Sequence, residues 1–223
     1  MSIAERLAET HARIERAATA ASRDPKSVKL VAVSKTFPVE KIQEAYDAGQ
    51  RAFGENYAQE LAAKALALAH LNDIEWHFIG HLQANKAKVI ATHAHVMHTV
   101  DSASLARELG RRVAVLQKTL PVLIEVNVAN EPQKHGVSAI ELADVIAAIQ
   151  KEKGLVLRGL MTIPPDDLNA AKTTFETLVS LRNLHGGEKI LPELSMGMSA
   201  DLEIAVGAGS TMVRVGRAIF GNR

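Results

Sequence analysis

Two groups of residues, far apart in the chain, carry side chains able to do chemistry. Lys35 closes the apolar run Val28-Lys29-Leu30-Val31-Ala32-Val33-Ser34 and is followed at once by Thr36-Phe37-Pro38. An amine at the end of a buried strand can be held partly desolvated, which lowers its pKa and readies it for a Schiff base with an aldehyde. The alternative is an ordinary solvated lysine at a strand end. Towards the other terminus, Ser195-Met196-Gly197-Met198-Ser199-Ala200-Asp201 and Val213-Arg214-Val215-Gly216-Arg217-Ala218-Ile219-Phe220-Gly221 read as two halves of a phosphate cup. Ser199 offers a hydroxyl, and Gly216 lets the backbone approach closely enough for the amides of Gly216 and Arg217 to face phosphate oxygens. Each segment alone also fits a strand running into a helix N-cap.

These residues need elements to hold them, and the chain supplies a regular beat. Apolar runs over residues 28–35, 51–56, 75–80, 96–101, 120–127, 155–163, 193–198 and 212–220 read as strands. Helical patterns over 39–48, 102–116, 138–151 and 167–184 lie between them. Ser2 and Glu5, and again Ser138 and Glu141, are spaced as capping boxes, while Gly49, Gly110 and Gly186 sit where helices should stop. Eight strands separated by helices predict a parallel sheet, and 223 residues suit one compact (β/α)8 barrel. The fold class is therefore α/β, a single barrel domain over residues 1–223 with an additional N-terminal helix; a doubly wound open sheet is the alternative. In a barrel, Lys35 ends the first strand beside the eighth, at the mouth where active sites lie and where the last loops often hold phosphate. Period-two alternation places Lys35 on the face of Val31 and Val33, and Arg214 on that of Met212 and Gly216.

Composition narrows the function classes. The chain is 47% hydrophobic and 23% charged with a net charge of +1, enough apolar material for a full core and no basic block of the kind nucleic acid demands. It has no cysteine, which excludes disulfides, thiolate catalysis and thiolate metal sites. The first residues mix Glu5, Glu9 and Glu15 with arginines and lack the apolar centre of a secretion signal. A soluble, cytoplasmic protein is expected, with no membrane contact.

Taken together, Val31 to Lys35, Phe53-Gly54-Glu55-Asn56-Tyr57, Trp76-His77-Phe78-Ile79-Gly80-His81-Leu82-Gln83 with Asn85-Lys86, Ser195 to Asp201 and Arg214 to Gly221 keep the order and spacing of a known family. From about Leu30 onwards the chain resembles the pyridoxal phosphate homeostasis proteins. The resemblance implies a barrel similar to the N-terminal domain of alanine racemase, with pyridoxal 5'-phosphate held as an aldimine and no established turnover. It also implies that Lys35 is the Schiff-base lysine, that Ser199, Gly216 and position 217 hold the phosphate, and that Arg214 faces the pyridine nitrogen. One departure is visible, since Arg217 stands where the family usually has a small hydroxyl residue. Apo-enzymes dependent on the cofactor are the expected recipients, and a monomer is expected.

An arginine against the pyridine nitrogen stays protonated and disfavours protonation of the ring, which weakens its use as an electron sink. Racemisation also needs a second base, which alanine racemase takes from a further domain; the chain stops at Arg223 with no room for one, and Tyr57 is the tyrosine to suspect in its place. Carrier, low-activity amino-acid racemase and aldolase-like phosphosugar barrel are the three readings, the first leading. Asn56 and His81 are expected near the ring or rim, with a turn residue and a loop position as their alternatives. His77 is expected in the barrel interior, and His93, His95 and His98 as surface residues around a strand start rather than a metal site. Arg158 is expected to pair with a carboxylate, since an unpaired buried guanidinium would be costly. Lys134 is a second amine near the mouth or a solvated lysine.

Overall fold

A computed structural model describes residues 1–221, so the last two positions of the expected domain lie outside the described residues. After helix α1 (Ile3–Ala20) the chain runs β1 (Lys29–Val33), α2 (Val39–Asp47), β2 (Ala52–Glu55), α3 (Ala58–Ala67), β3 (Glu75–Phe78), α4 (Ala87–His93) and β4 (Val96–Val100). It continues with α5 (Ala103–Val115), β5 (Leu120–Glu125), α6 (Leu142–Lys151), β6 (Leu155–Met161), α7 (Leu168–Leu184), β7 (Glu193–Ser195), α8 (Leu202–Gly207), β8 (Met212–Val215) and α9 (Arg217–Phe220). All neighbouring strands pair in parallel and the sheet closes into a barrel, with Val31 opposite Arg214 and Ala32 opposite Val215 at the seam of β1 and β8.

Alternation along the strands sorts two cores. Val96, Leu123, Met161 and Met212 form a small cluster of their own, whereas Met97, Ile124, Leu160 and Val213 join the large cluster between sheet and helices. Phe53 and Phe175 are fully buried in that larger layer, each contributing about 1.5–3 kcal/mol by leaving water. The helix α1 has the capping box expected from Ser2 and Glu5 and buries Ile3, Leu7, Ile14, Ala17 and Ala18 against its neighbours, among them α8 and α9. No described helix is long and apolar enough to cross a membrane.

Several boundaries differ from the sequence pattern. The first strand ends at Val33, so Lys35 lies in the turn beyond it, and residues 217–220 are helical rather than strand because Gly216 breaks the extended run. Gly110 lies inside α5 instead of ending it. A Cβ there would fall 2.3 Å from Glu152 Oε2, so the glycine serves close helix packing. Ser138 and Glu141 do bond reciprocally, but one turn early, since α6 begins at Leu142.

Candidate functional site

The mouth of the barrel holds a cavity of about 520 Å³, and six residues singled out in the sequence meet there: Lys35, Asn56, Ser199, Arg214, Gly216 and Arg217. Val33, Phe37, Ile79 and Ile163 supply apolar wall. Lys35 arrives on the turn after β1, Asn56 just beyond β2, Ser199 on the loop after β7, and Gly216 with Arg217 at the end of β8. Gly216 packs against β1, where an added Cβ would approach Val33 O to 3.1 Å. Arg217 is exposed but still reaches the cavity wall. The Ser199 loop is tied down by Asp201, whose Oδ1 accepts the Met198 amide at 2.5 Å, and from outside by Arg13, which donates to Ser199 O at 3.0 Å while pairing with Glu203. The N-terminal helix thus braces the Ser199 side of the cavity.

Arg214 is the polar anchor of the floor. It is 5% exposed; Nη1 donates to Ser195 Oγ at 2.7 Å and Nη2 to Thr162 O at 2.9 Å. Burial pushes its pKa down to about 10, opposed by the carboxylates of Glu125 and Asp201, so it remains a cation at neutral pH. Glu125, at the end of β5, is pushed up to about 7 by burial, against the pull of Arg214 and with Asp101 adding to the rise. Behind Arg214 runs a buried chain, in which Ser195 Oγ lies 2.8 Å from His98 Nδ1 and His98 Nε2 lies 2.8 Å from His77 Nδ1. Because Arg214 occupies an acceptor position on Ser195, the consistent polarity has the hydroxyl donating to His98 and His98 donating to His77, with both imidazoles neutral. Burial lowers the pKa of both rings, in keeping with that state.

Other expectations meet a different outcome. His98 is fully buried rather than a surface residue, because the alternation that turns Val96 inwards turns His98 inwards too; His93 is half-buried, and His95 is exposed as expected. His77 is interior, as its strand position requires. His81 is not part of the cavity wall; it pairs with Asp101 at 3.0 Å and stacks on His135 at 3.7 Å between ring centroids. With one donor atom each, His81, Asp101 and His135 gather within 4.8 Å, but rings only 8° from parallel aim their lone pairs alongside each other rather than at a common point. Arg158 does find a carboxylate, Glu193 at 2.8 Å, in a half-exposed pair. Lys134 pairs with Glu131 at 2.5 Å and borders a separate pocket of about 170 Å³. Tyr57 is 59% exposed at the start of α3, and neither tyrosine of the chain lines the cavity.

Glu125, Asp201 and the cluster of Glu55, Lys64 and Glu60, of which Glu55 and Lys64 are buried, were not among the candidate residues of the sequence. For Glu125 a usable signal existed in its position at the inward end of a strand. Glu60 and Lys64 have the i,i+4 spacing of an ordinary helix-surface pair, which hides that the lysine also turns inwards to Glu55 at the end of β2.

Comparison with known proteins decides the family. The family model for the alanine racemase N-terminal domain matches residues 6–223. The pyridoxal phosphate homeostasis protein of Pasteurella multocida is 44% identical over 231 residues, covering 100% of this chain and 98% of its own. That of Escherichia coli strain K12 is 42% identical, covering 99% and 97%. The chain belongs to the pyridoxal phosphate homeostasis protein family. Among solved structures, PipY of Synechococcus elongatus with PLP bound superposes with a TM-score of 0.83 at 38% identity, covering 99% of this chain and 100% of that one. Alanine racemase from Corynebacterium glutamicum shares the fold, with a TM-score of 0.69 at 18% identity over 61% of its length.

Proposed function

We propose that this chain binds pyridoxal 5'-phosphate at the barrel mouth and carries it for delivery to apo-enzymes, as a cytoplasmic, monomeric, single-domain protein over residues 1–223 without robust turnover. The observation that carries the reading is the meeting of Lys35, Asn56, Ser199, Arg214, Gly216 and Arg217 around one cavity. The residues suit the ligand. Asn56 Oδ1 is buried without a hydrogen-bond partner among the described residues, which asks for a donor or a water in the cavity. The missing side chain at Gly216 lets β8 close tightly on Val33 of β1 beside the place assigned to phosphate.

Bound there, pyridoxal phosphate supplies an aldehyde that condenses with an amine and a ring that draws electrons from it. Lys35 provides the amine. Ser199 and the backbone at Gly216 and Arg217 would hold the phosphate, and the exposed guanidinium of Arg217 would either stand in for the family's small hydroxyl or turn to solvent. Arg214, fixed by Ser195 and Thr162, would present a donor to the pyridine nitrogen, which would disfavour ring protonation and make the ring a poor electron sink. With no tyrosine in the cavity wall, the partner base that racemisation needs on the second face is not supplied from the position expected for it.

The deciding experiment is absorption spectroscopy with borohydride reduction of the protein loaded with pyridoxal phosphate, followed by peptide mapping. The reduced adduct should map to Lys35 and vanish in Lys35→Ala; a main adduct on another lysine overturns the assignment.

A further inference from the structure

The turn that carries Lys35 is gripped on both of its flanking peptides by one buried ionic cluster. On the N-terminal side, Lys64 Nζ donates to Ser34 O at 2.7 Å, and Ser34 Oγ donates to Glu55 Oε1 at 2.7 Å. On the C-terminal side, the Thr36 amide donates to Glu60 Oε1 at 2.6 Å. The cluster closes on itself, because Lys64 Nζ also reaches Glu55 Oε1 and Glu60 Oε1, each at 2.7 Å. All three protons of the ammonium are thereby used. The side chain of Lys64 is 6% exposed and that of Glu55 fully buried.

Burying an ammonium between carboxylates is a poor way to gain stability, since apolar side chains of the same volume commonly do as well. What the cluster supplies is placement. Thr36 has a φ of +67°, a left-handed conformation that a β-branched residue adopts only when its surroundings impose it. The bond from its amide to Glu60 and the bond from Lys64 to Ser34 O bracket Lys35 and fix the direction in which its side chain leaves the backbone. The carboxylates come from the end of β2 and the first turn of α3, so Lys35 is positioned from the neighbouring β-α unit, not from its own strand.

We propose that Glu60, Lys64 and Glu55 are positioning residues that aim Lys35 at the ligand's aldehyde. This rests on the reading of Lys35 as the attachment amine. None of the three borders the cavity, so the effect is transmitted through the backbone.

The test uses the full chain and two ligands, pyridoxal 5'-phosphate and pyridoxine 5'-phosphate, which keeps the phosphate and ring but has an alcohol where the aldehyde was. Glu60→Ala removes the acceptor for Thr36, and Glu60→Gln retains an acceptor oxygen; the side chain is 23% exposed, so both variants should fold. Glu60→Ala is expected to slow covalent capture, read as borohydride-trapped adduct against time, by roughly tenfold or more, as loss of near-attack alignment does. Glu60→Gln should recover most of the rate, and the affinity for pyridoxine 5'-phosphate should stay the same in both. Lys64→Met, which leaves Ser34 O without its donor, should show the same split between the ligands. Capture by Glu60→Ala at the wild-type rate overturns the proposal, as does an equal loss for both ligands, which is the mark of general damage. Lys35→Ala run in parallel separates the two claims: trapped adduct surviving in it sinks the attachment reading, whereas adduct lost in it but unslowed in Glu60→Ala sinks the positioning role alone.

Discussion

Arg214 donates a 2.7 Å hydrogen bond to Ser195 Oγ, placing a buried hydroxyl between the guanidinium and His98. Ser195→Ala leaves a buried guanidinium N–H and a histidine nitrogen without their partner, at a cost of about 1–3 kcal/mol. Urea denaturation should show that loss in the ligand-free protein. The same variant should shift the absorption maximum of the bound cofactor, because Arg214, then held by Thr162 O alone, is less firmly placed against the ring. An unchanged spectrum would show that Ser195 does not hold Arg214 in place for the ligand.

Ser199→Ala combined with Gly216→Val should weaken binding of pyridoxal phosphate far more than that of unphosphorylated pyridoxal. Hydrogen bonds to a charged acceptor contribute about 1.5–3 kcal/mol each, and the new side chain would press on Val33 O, 3.1 Å from an added Cβ. Equal losses for the two ligands would place phosphate elsewhere. Arg217→Ser should flatten the salt dependence of binding, since an exposed guanidinium acts through a screened field.

Glu125 gives stability a definite pH dependence. Its folded pKa of about 7 lies above the ordinary carboxylate value, so the folded protein favours the protonated carboxyl. That contribution is complete below about pH 4.5 and is lost as pH rises towards 7. Glu125→Gln, which keeps a neutral amide at every pH, should gain relative stability on going from pH 4.5 to 8, by an amount on the order of 3 kcal/mol at most. Denaturation midpoints at the two pH values measure it, and a difference that does not grow with pH would show that the carboxyl is already ionised at low pH. Histidines 77 and 98 act with the opposite sign. Their lowered pKa values add stability that is present above the ordinary histidine value and lost as pH falls.

Prolonged incubation with L-alanine or other amino acids should give negligible racemisation on chiral analysis, while an apo-enzyme added to the loaded protein should regain activity. Multiple turnovers that disappear in Lys35→Ala would replace the carrier with an enzyme, and Tyr57→Phe would then test whether the exposed tyrosine moves in to act as base.

Much of this architecture could be read from residue order. Eight apolar runs separated by helical patterns predict the closed sheet, and once the barrel is assumed, Lys35, Arg214 and Gly216 must converge because β1 neighbours β8. What escaped was set by contacts between elements. His98 looked like one of three crowded histidines, although its parity with Val96 already turned it inwards. Gly110 resembled a helix stop because its reason, the approach of Glu152, lies on another element. Lys64 and Glu55 are nine positions apart across a turn, and only tertiary packing shows that the lysine head enters the interior instead of solvent.

Closure of β1 on β8 also orders events in time. During synthesis the turn that bears Lys35 precedes Ser199 by about 160 residues and Gly216 by about 180, so the elements around the cavity meet only across a long stretch of chain. The ligand therefore cannot template the early stages of folding. A ligand held from both sides of the β1–β8 seam would bind only after β8 has docked, and its supply would then register as added resistance to unfolding of the closed barrel.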